Sequence, residues 1–411
     1  MIKIYRKEIN LYYLYRLVVD FMKIKVGVFF GGNSVEHEVS IISAIQAIEN
    51  MDKEKYDIIP IYIAKDNRMY CGKNVGDIMS YRDINKLIKS SEEVVLANRN
   101  NRCVLVRNGK RFSINGIFDY IDVAFPIVHG TNVEDGTIEG YLKMFNLPFV
   151  GCSVLASAIG MDKYVCKCVL RENDIPVIDG ILFYVEEYKR NVNEMIKKIE
   201  VFGMNVIVKP VNLGSSIGIS VAKNRDELKK ALDLAFRYSE KVLVERLVEN
   251  LMEINCSVVG SRNNMEVSEC EEPIKRDEIL SFTDKYISGK KGSKLKGSVN
   301  SGKLKLPADI SIELKNEIQE LAKKVFFVLD CSGVVRIDFI YDKDKKKLYV
   351  NEINTIPGSL AFHLWREKGV CYRELLDRLI ETALERERIE KKLIFSFDSN
   401  ILEGFNGVKV K

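Results

Sequence analysis

Two stretches near the C-terminal end, Val334-Val-Arg-Ile-Asp-Phe-Ile-Tyr341 and Leu348-Tyr-Val-Asn-Glu-Ile-Asn-Thr-Ile-Pro-Gly358, alternate with a period of two on either side of a lysine-rich turn. That pattern commits them to a β-hairpin, because side chains two apart on a strand share a face. Arg336 and Asp338 then point one way from the first strand, and Glu352 and Asn354 point together from the second. With the turn centred on Lys345, Asp338 lies opposite Glu352. Opposed carboxylates repel unless a cation sits between them, and hard oxygen donors beside a phosphate-binding lobe select Mg²⁺ over zinc or copper. A solvated hairpin carries such charges too, but here Val335, Ile337, Phe339, Val350, Ile353 and Pro357 surround them with apolar neighbours.

The rest of the chain alternates strand and helix. From Lys23 a strand runs into the Gly31-Gly32 turn, followed by a helix with apolar residues at Val35, Val39, Ile42 and Ile45 and a strand over 58–63. After a polar stretch from about 67 to 115, a strand over 123–128 ends at His129-Gly130. This is how an open parallel sheet begins, and functional groups gather at the carboxyl ends of its strands. A helix over 135–145 follows, and the first unit closes near Gly151. A second unit has a helix over 161–173, a strand over 206–210, a loop over 211–216, a helix over 225–236 and a strand over 241–245. The third holds a polar loop over 282–301, a helix over 312–329 and the hairpin. The expected division is 22–151, 152–244 and 245–395, with a peripheral tail at 396–411 and an extension at 1–21 preceding a natural start at Met22. The 282–301 loop, rich in Lys, Gly and Ser, is expected to be mobile when empty.

Composition narrows the function. A net charge of +5 spread over 411 residues, with scattered lysines, gives no nucleic-acid stripe. The apolar run 11–21 is too short and too charged to span a membrane. Nine cysteines without a CxxC pair fit reduced thiols in a cytoplasm better than a disulfide framework or a zinc site. Small-molecule chemistry is the expectation.

Lys209-Pro-Val-Asn-Leu-Gly-Ser-Ser-Ile-Gly218 offers backbone N–H groups, the Ser215 and Ser216 hydroxyls and a lysine to a phosphate chain. It is not a Walker A loop, in which Gly-Lys-Ser/Thr leads into a helix; here the lysine comes first and 217–221 continues as a strand. Asn33 and Glu36 have the spacing of a helix capping box, or else Glu36 faces the cleft as a partner for a substrate ammonium. His129 is either structural or a cleft residue, and Lys163 either touches phosphate or is solvated. Glu245-Arg246-Leu247 sits at a strand end where a nucleotide hinge would lie.

The ordered series Phe30-Gly-Gly-Asn-Ser-Val-Glu-His-Glu-Val-Ser40, His129-Gly-Thr-Asn-Val-Glu-Asp-Gly-Thr137, Gly160-Met-Asp-Lys163, Lys209-Pro with Leu213-Gly-Ser-Ser-Ile-Gly218, Arg336-Ile-Asp338 and Asn351-Glu-Ile-Asn-Thr-Ile-Pro-Gly358 resembles the ATP-grasp superfamily. Within it the chain resembles the D-alanine–D-alanine ligases from Met22 to about Leu384. The resemblance implies an α/β, three-domain ATP-grasp fold: an N-terminal open parallel sheet and two α+β lobes clamping ATP. It implies that ATP phosphorylates the carboxylate of one D-alanine and that the amine of a second attacks the acyl phosphate, giving the dipeptide of peptidoglycan. By the same resemblance Lys163 and Lys209 bind ATP phosphates, with Ser215, Ser216 and Asn351 beside the nucleotide. Glu245, Arg246 and Leu247 hold the adenine and Glu253 the ribose. Asp338, Glu352 and Asn354 ligate two Mg²⁺ ions, for which Mn²⁺ substitutes. Arg336 and the Gly358 N–H stabilise the oxyanion, Glu36 pairs with the first substrate's ammonium, and His129 lies beside its carboxylate. Ser215 and Tyr286 tie the mobile loop over the site, and Lys285 approaches the transferred phosphate. A homodimer is the usual assembly.

Three departures qualify that likeness. Val133 stands where the family has a glycine, the 282–301 loop is longer than usual, and Ser359-Leu-Ala-Phe-His363 replaces a hydroxyl-rich segment that helps hold the acceptor carboxylate. Ser359 or His363 would substitute there, or the acceptor is D-serine, D-lactate or another amino acid. A silent nucleotide-binding regulator is the alternative class; the full set Arg336, Asp338, Glu352 and Asn354 argues against it. An oxidoreductase is weaker still, since no G-x-G-x-x-G follows the Gly31-Gly32 turn.

Overall fold

The structure, a computed structural model, describes residues 23–100, 102–109, 116–214, 217–274 and 304–395. The expectations for 1–21, for the 282–301 loop with Lys285 and Tyr286, for Ser215 and Ser216, and for the 396–411 tail lie outside the described residues.

The first sheet contains β1 (Ile24–Gly31), β2 (Tyr56–Ile63), β3 (Met69–Cys71), β4 (Glu92–Arg99), β5 (Arg102–Arg107), β6 (Ile117–Tyr120) and β7 (Val123–Val128) in the order β6-β5-β4-β3-β2-β1-β7. β1 pairs in parallel with β2 and β7, as the alternation of strand and helix predicts. The polar 67–115 stretch adds an antiparallel meander for which the sequence reading assigned no elements. Val26, Val28, Phe29 and Phe30 are fully buried, the continuous apolar run of a parallel strand covered on both faces. The helix His37–Asn50 buries Ile41, Ala44, Ile45 and Ile48, at i, i+3, i+4 and i+7. Of the expected stripe, Val39 and Ile45 are buried, but Val35 and Ile42 are exposed. Val35 precedes the helix, and Ile42 sits about 100° round from Ile41. Each buried isoleucine on that face contributes roughly 1.5–3 kcal/mol before chain entropy is set against it.

The second sheet is antiparallel, β10-β9-β11-β8, from β8 (Gly180–Tyr184), β9 (Val206–Pro210), β10 (Ser220–Ala222) and β11 (Lys241–Arg246). The strand expected from Ile217 is only the three residues of β10. Helices Val185–Phe202 and Arg225–Ala235 pack on this sheet through Ile196, Ile199, Leu228 and Leu232.

The third sheet, also antiparallel, runs β14-β13-β12-β15-β16, from β12 (Leu251–Ser261), β13 (Asn264–Pro273), β14 (Leu304–Lys305), β15 (Gly333–Asp342) and β16 (Lys347–Asn354). Its core takes Ala322, Val325 and Phe326 from the helix Ile312–Val328. It also takes Cys152, Ala156, Cys166 and Leu170, so helices Val154–Met161 and Lys163–Glu172 pack with this sheet. The last helix, Tyr372–Glu390, returns to the first sheet, and Val259, Val334, Ile356, Leu360 and Trp365 of the third unit belong to the same core as β1. This shared core holds the ends of β1 and β7 against the hairpin. Among the described residues no helix is long and apolar enough to cross a membrane, and all nine cysteines are free thiols.

Candidate active site

In the β15–β16 hairpin Arg336 faces Asn354 and Asp338 faces Glu352, as the spacing predicts, but by a less direct route. The turn pairs Asp342 with Lys347, a register that by itself would set Asp338 opposite Asn351. A bulge between Asp338 and Phe339 absorbs one residue of β16 and brings Glu352 across. The extra residue, Asn351, accepts a hydrogen bond from Lys209 Nζ at 3.1 Å.

The Arg336 guanidinium forks onto Asp338, Nε to Oδ1 at 2.7 Å and Nη2 to Oδ2 at 2.8 Å, and Asn354 Nδ2 donates to Asp338 Oδ2 at 3.2 Å. Lys163 Nζ lies 3.2 Å from Glu352 Oε2 and donates to the Leu213 carbonyl at 2.7 Å. Lys163 is the first residue of its helix rather than two residues in, because the chain breaks at Asp162. The Asp162 carboxylate caps the helix by accepting from the N–H groups of Tyr164 and Val165. The opposed row continues beyond the hairpin, since Asn255 stands opposite Asp338 on one side and Glu271 on the other. Asn255 Nδ2 donates to Glu271 Oε1 at 2.8 Å, and His363 Nε2 lies 2.7 Å from Glu271 Oε2. Burial alone would push the Glu271 carboxyl up, but the hydrogen bond and charge of His363, then Arg336 and Asn255, leave it below the ordinary carboxylate range.

Glu245 is fully buried between Lys167 and Lys209, with Lys209 Nζ at 2.6 Å. Burial pushes its carboxyl up, and the two ammonium groups more than reverse this, holding it below the usual range. The same pairing raises Lys209 against the opposing effect of burial. Arg246 lies over the Phe202 ring at 4.4 Å, the Leu247 N–H donates to the Asn205 carbonyl at 2.9 Å, and Glu253 on β12 adds negative charge near Lys209. Asn351, Lys163 and Lys209 thus converge with Glu352, whereas Arg246 turns to a neighbouring ring.

The capping box expected from Asn33 and Glu36 does not form. The helix starts at His37 with Glu36 in the N-cap position and no side-chain cap, because the Glu36 N–H donates instead to Ser34 Oγ at 3.0 Å. The Glu36 carboxylate is nearly buried and packs on two glycines: an added Cβ would stand 3.0 Å from its Oε2 at Gly130 and 2.8 Å at Gly214. His129 is buried at the end of β7, its Nε2 3.0 Å from Ser43 Oγ and its N–H donating to Ser40 Oγ at 2.9 Å. Burial pushes its imidazole down to about 4, and the nearby Arg336 charge acts in the same direction, so the ring is neutral at pH 7. Ser43 Oγ also accepts from the Ser359 N–H at 3.1 Å, joining His129 to the loop after β16. Glu134, pushed up to about 8 by burial, accepts from the N–H groups of Gly130 (2.9 Å) and Ile356 (3.1 Å) and makes a second link across the same seam. Val133 fills the space where a Cβ on Gly32 would fall, 2.4 Å from its Cγ1, and Gly32 has φ +90°. His37 is structural, held between the Gly32 carbonyl at 2.6 Å and Tyr62 OH at 3.1 Å.

Beyond Gly358, Ser359, Leu360 and Ala361 take φ of 48°, 53° and 50°, three consecutive left-handed residues, none of them glycine. Such backbone is costly, about 1–2 kcal/mol per residue, and is retained at sites that need it. Ser359 Oγ is buried here with no hydrogen-bond partner among the described residues. The turn leads into the short helix Phe362–Arg366, which places His363 on Glu271 and fastens Trp365 Nε1 to Ser257 Oγ at 3.2 Å. Sequence reasoning missed Lys167, Asn255, Glu271, Ser43 and Glu134.

The donor set suits a hard cation: two carboxylates and an amide on facing strands, with their negative charge now met by Arg336 and Lys163. Among the described residues no three carboxylate, imidazole or thiol side chains converge as a metal site.

Comparison with known proteins places the chain as a whole. Residues 25–152 match the model of the D-ala D-ala ligase N-terminus and residues 169–381 that of the D-ala D-ala ligase C-terminus. A D-alanine–D-alanine ligase of Thermosipho melanesiensis is 40% identical over 382 residues, covering 92% of this chain and 98% of the relative. One from Caldicellulosiruptor bescii is 39% identical, covering 91% and 99%. Among solved structures, the D-alanine-D-alanine ligase of Coxiella burnetii aligns with a TM-score of 0.75 at 30% identity, covering 93% and 99%. A D-Ala:D-Ser ligase of Enterococcus faecalis aligns at 0.72 and also 30%, covering 88% and 100%. With both halves matched in order and the acid–amide–arginine hairpin in register, the chain belongs to the D-alanine–D-alanine ligase family of the ATP-grasp superfamily.

Proposed function

We infer that this chain joins two D-alanine molecules into D-alanyl-D-alanine for peptidoglycan synthesis, using ATP and passing through an acyl phosphate. The observation that carries the reading is one cluster of polar side chains drawn from three directions. Glu36 and His129 come from the first sheet, Lys163 and Lys209 from the helix and strand around Glu245, and Arg336, Asp338, Glu352 and Asn354 from the hairpin.

MgATP supplies the transferred phosphoryl group and the divalent charge that lets it approach a carboxylate. Two unlike reactants with like charge 4 Å apart repel by about 4 kcal/mol at an effective dielectric of ~20, and the residues here are arranged against that. Asp338, Glu352 and Asn354 would hold the metal, two ions by resemblance, with Mn²⁺ as a substitute. Lys163, Lys209 and Asn351 would meet the phosphates, and Glu245, Arg246, Leu247 and Glu253 would border the nucleoside. Glu36 takes the ammonium of the first D-alanine, and neutral His129 orients its carboxylate without adding a competing charge. Arg336 and the Gly358 N–H then stabilise the oxyanion that forms when the second amine adds. Ser359 Oγ, buried and unpartnered among the described residues, has its hydroxyl available to the second substrate's carboxylate. Ser215, Ser216, Lys285 and Tyr286 retain the loop-closing and phosphate roles that the resemblance implies. We place the enzyme in the cytoplasm as a homodimer of three-unit chains divided near 151 and 245.

The experiment is product analysis with MgATP, D-alanine and a panel of second amino acids. D-Ala-D-Ala as main product supports the reading. A second reading, D-serine or D-lactate as acceptor, rests on the Ser359–His363 segment and is supported if either mixed product dominates.

A further inference from the structure

Glu271, Asn255, Asp338 and Glu352 stand directly opposite one another on the adjacent strands β13, β12, β15 and β16. Directly opposed residues share a sheet face, with Cβ atoms about 4.5–5.5 Å apart, so the four form one line of polar side chains across the sheet. Two residues along the same face, Ser257, Arg336 and Asn354 form the next row. The line has a cationic end and a far end. Lys163 meets Glu352 at the first. At the second, the Glu271 carboxylate, 3% exposed, takes hydrogen bonds from Asn255 and from His363, which is 25% exposed.

On the ligase reading the leaving phosphate and the nucleotide would fill the cationic end beside Lys163, so the second amino acid would enter at the far end, where His363 lies against Glu271. We propose that Glu271, itself held by Asn255, is a positioning residue that fixes the His363 ring where the second amino acid binds. Capture of that substrate then depends on a carboxylate that does not touch it. With Nε2 committed to Glu271, the ring orientation is set and Nδ1 is its remaining hydrogen-bonding atom. The left-handed turn Ser359–Ala361 and the Trp365–Ser257 bond fix the helix that carries His363.

This inference rests on the ligase reading, and the test separates the two. Initial rates are measured over a range of D-alanine concentrations, fitted for two D-alanine sites, for the native chain, Glu271→Gln, His363→Ala and the double variant. Glu271→Gln keeps the shape and loses the charge, so each single variant should raise KM for the second D-alanine about 10-fold. KM for ATP and the first D-alanine, and kcat, should stay within about twofold. The double variant should be no worse than the worse single one, because both changes disable the same unit. A Glu271→Gln enzyme with unaltered second-site KM, a loss spread equally over all three substrates, or effects that multiply in the double variant would each overturn the proposal. If Glu271→Gln does not fold, the His363→Ala split decides. No dipeptide from the native chain would defeat the ligase reading itself.

Discussion

Glu245→Gln removes one charge from a fully buried site. The native carboxylate is wholly buried between Lys167 and Lys209, themselves almost fully buried. Glutamine has the same shape, so no cavity opens and the effect is electrostatic. Breaking a buried ion pair by neutralising one partner costs about 3–5 kcal/mol, since the other charge stays buried and uncompensated. Unfolding entropy of about 2.1 cal/mol/K per residue gives about 0.86 kcal/mol/K for the 411-residue chain melting as one unit. The expected loss is therefore about 4–6 °C in Tm. On the proposed placement of the ATP phosphates at Lys209, saturating MgATP should narrow that gap, because the phosphates would bring negative charge in place of the lost carboxylate. Thermal melts of native and variant protein, with and without MgATP, provide the measurement. A drop of less than about 1 °C, or a gap that MgATP leaves unchanged, would refute the reasoning.

Asp338→Ala and Glu352→Ala should each abolish phosphate release while circular dichroism stays native; near-normal turnover in both would defeat the metal assignment. Gly130→Ala would put a Cβ 2.3 Å from Ser34 Oγ and 3.0 Å from Glu36 Oε2 at φ +88°, so kcat/KM for D-alanine should fall by about 10-fold or more, with ATP binding by calorimetry unchanged. Glu139, on the helix Thr137–Met144, is pushed up to about 8, first by burial. Its folded value lies above the ordinary 4.5, so the stability of its protonated form is fully present below 4.5 and lost as pH rises through about 8. Glu139→Gln does not ionise, and its Tm advantage over the native chain should widen by about 2 °C or more between pH 5 and 8.5; a constant difference would contradict the buried carboxyl.

The hairpin was legible because a period of two places each side chain on a face, and Arg336, Asp338, Glu352 and Asn354 meet as that period requires. The bulge at Asp338 was not, since two offsets, one in the turn and one in the strand, cancel in the register. Lys167 reads as an ordinary solvated lysine on an amphipathic helix, and only the approach of β11 buries it against Glu245. Asn255 is one of the polar residues in a largely apolar strand and Glu271 one of four acids in β13, so neither is singled out in the sequence; three-dimensional neighbours turn them into one line. The 67–115 meander is built from short apolar runs, Met69–Cys71, Val94–Ala97 and Cys103–Val106, which are continuous rather than alternating and too brief to mark a period. At Asn33–Glu36, a local capping rule lost to Ser34, whose hydroxyl takes the Glu36 N–H and donates to the His129 carbonyl at 2.6 Å.

Mass analysis of the products formed from MgATP and D-alanine labelled with ¹⁸O in its carboxylate tests the central claim most directly. An acyl phosphate requires one labelled oxygen to leave the amino acid and appear in inorganic phosphate as D-Ala-D-Ala forms. Labelled phosphate matched to dipeptide is the predicted result. Unlabelled phosphate, or ATP consumption without dipeptide, would contradict it.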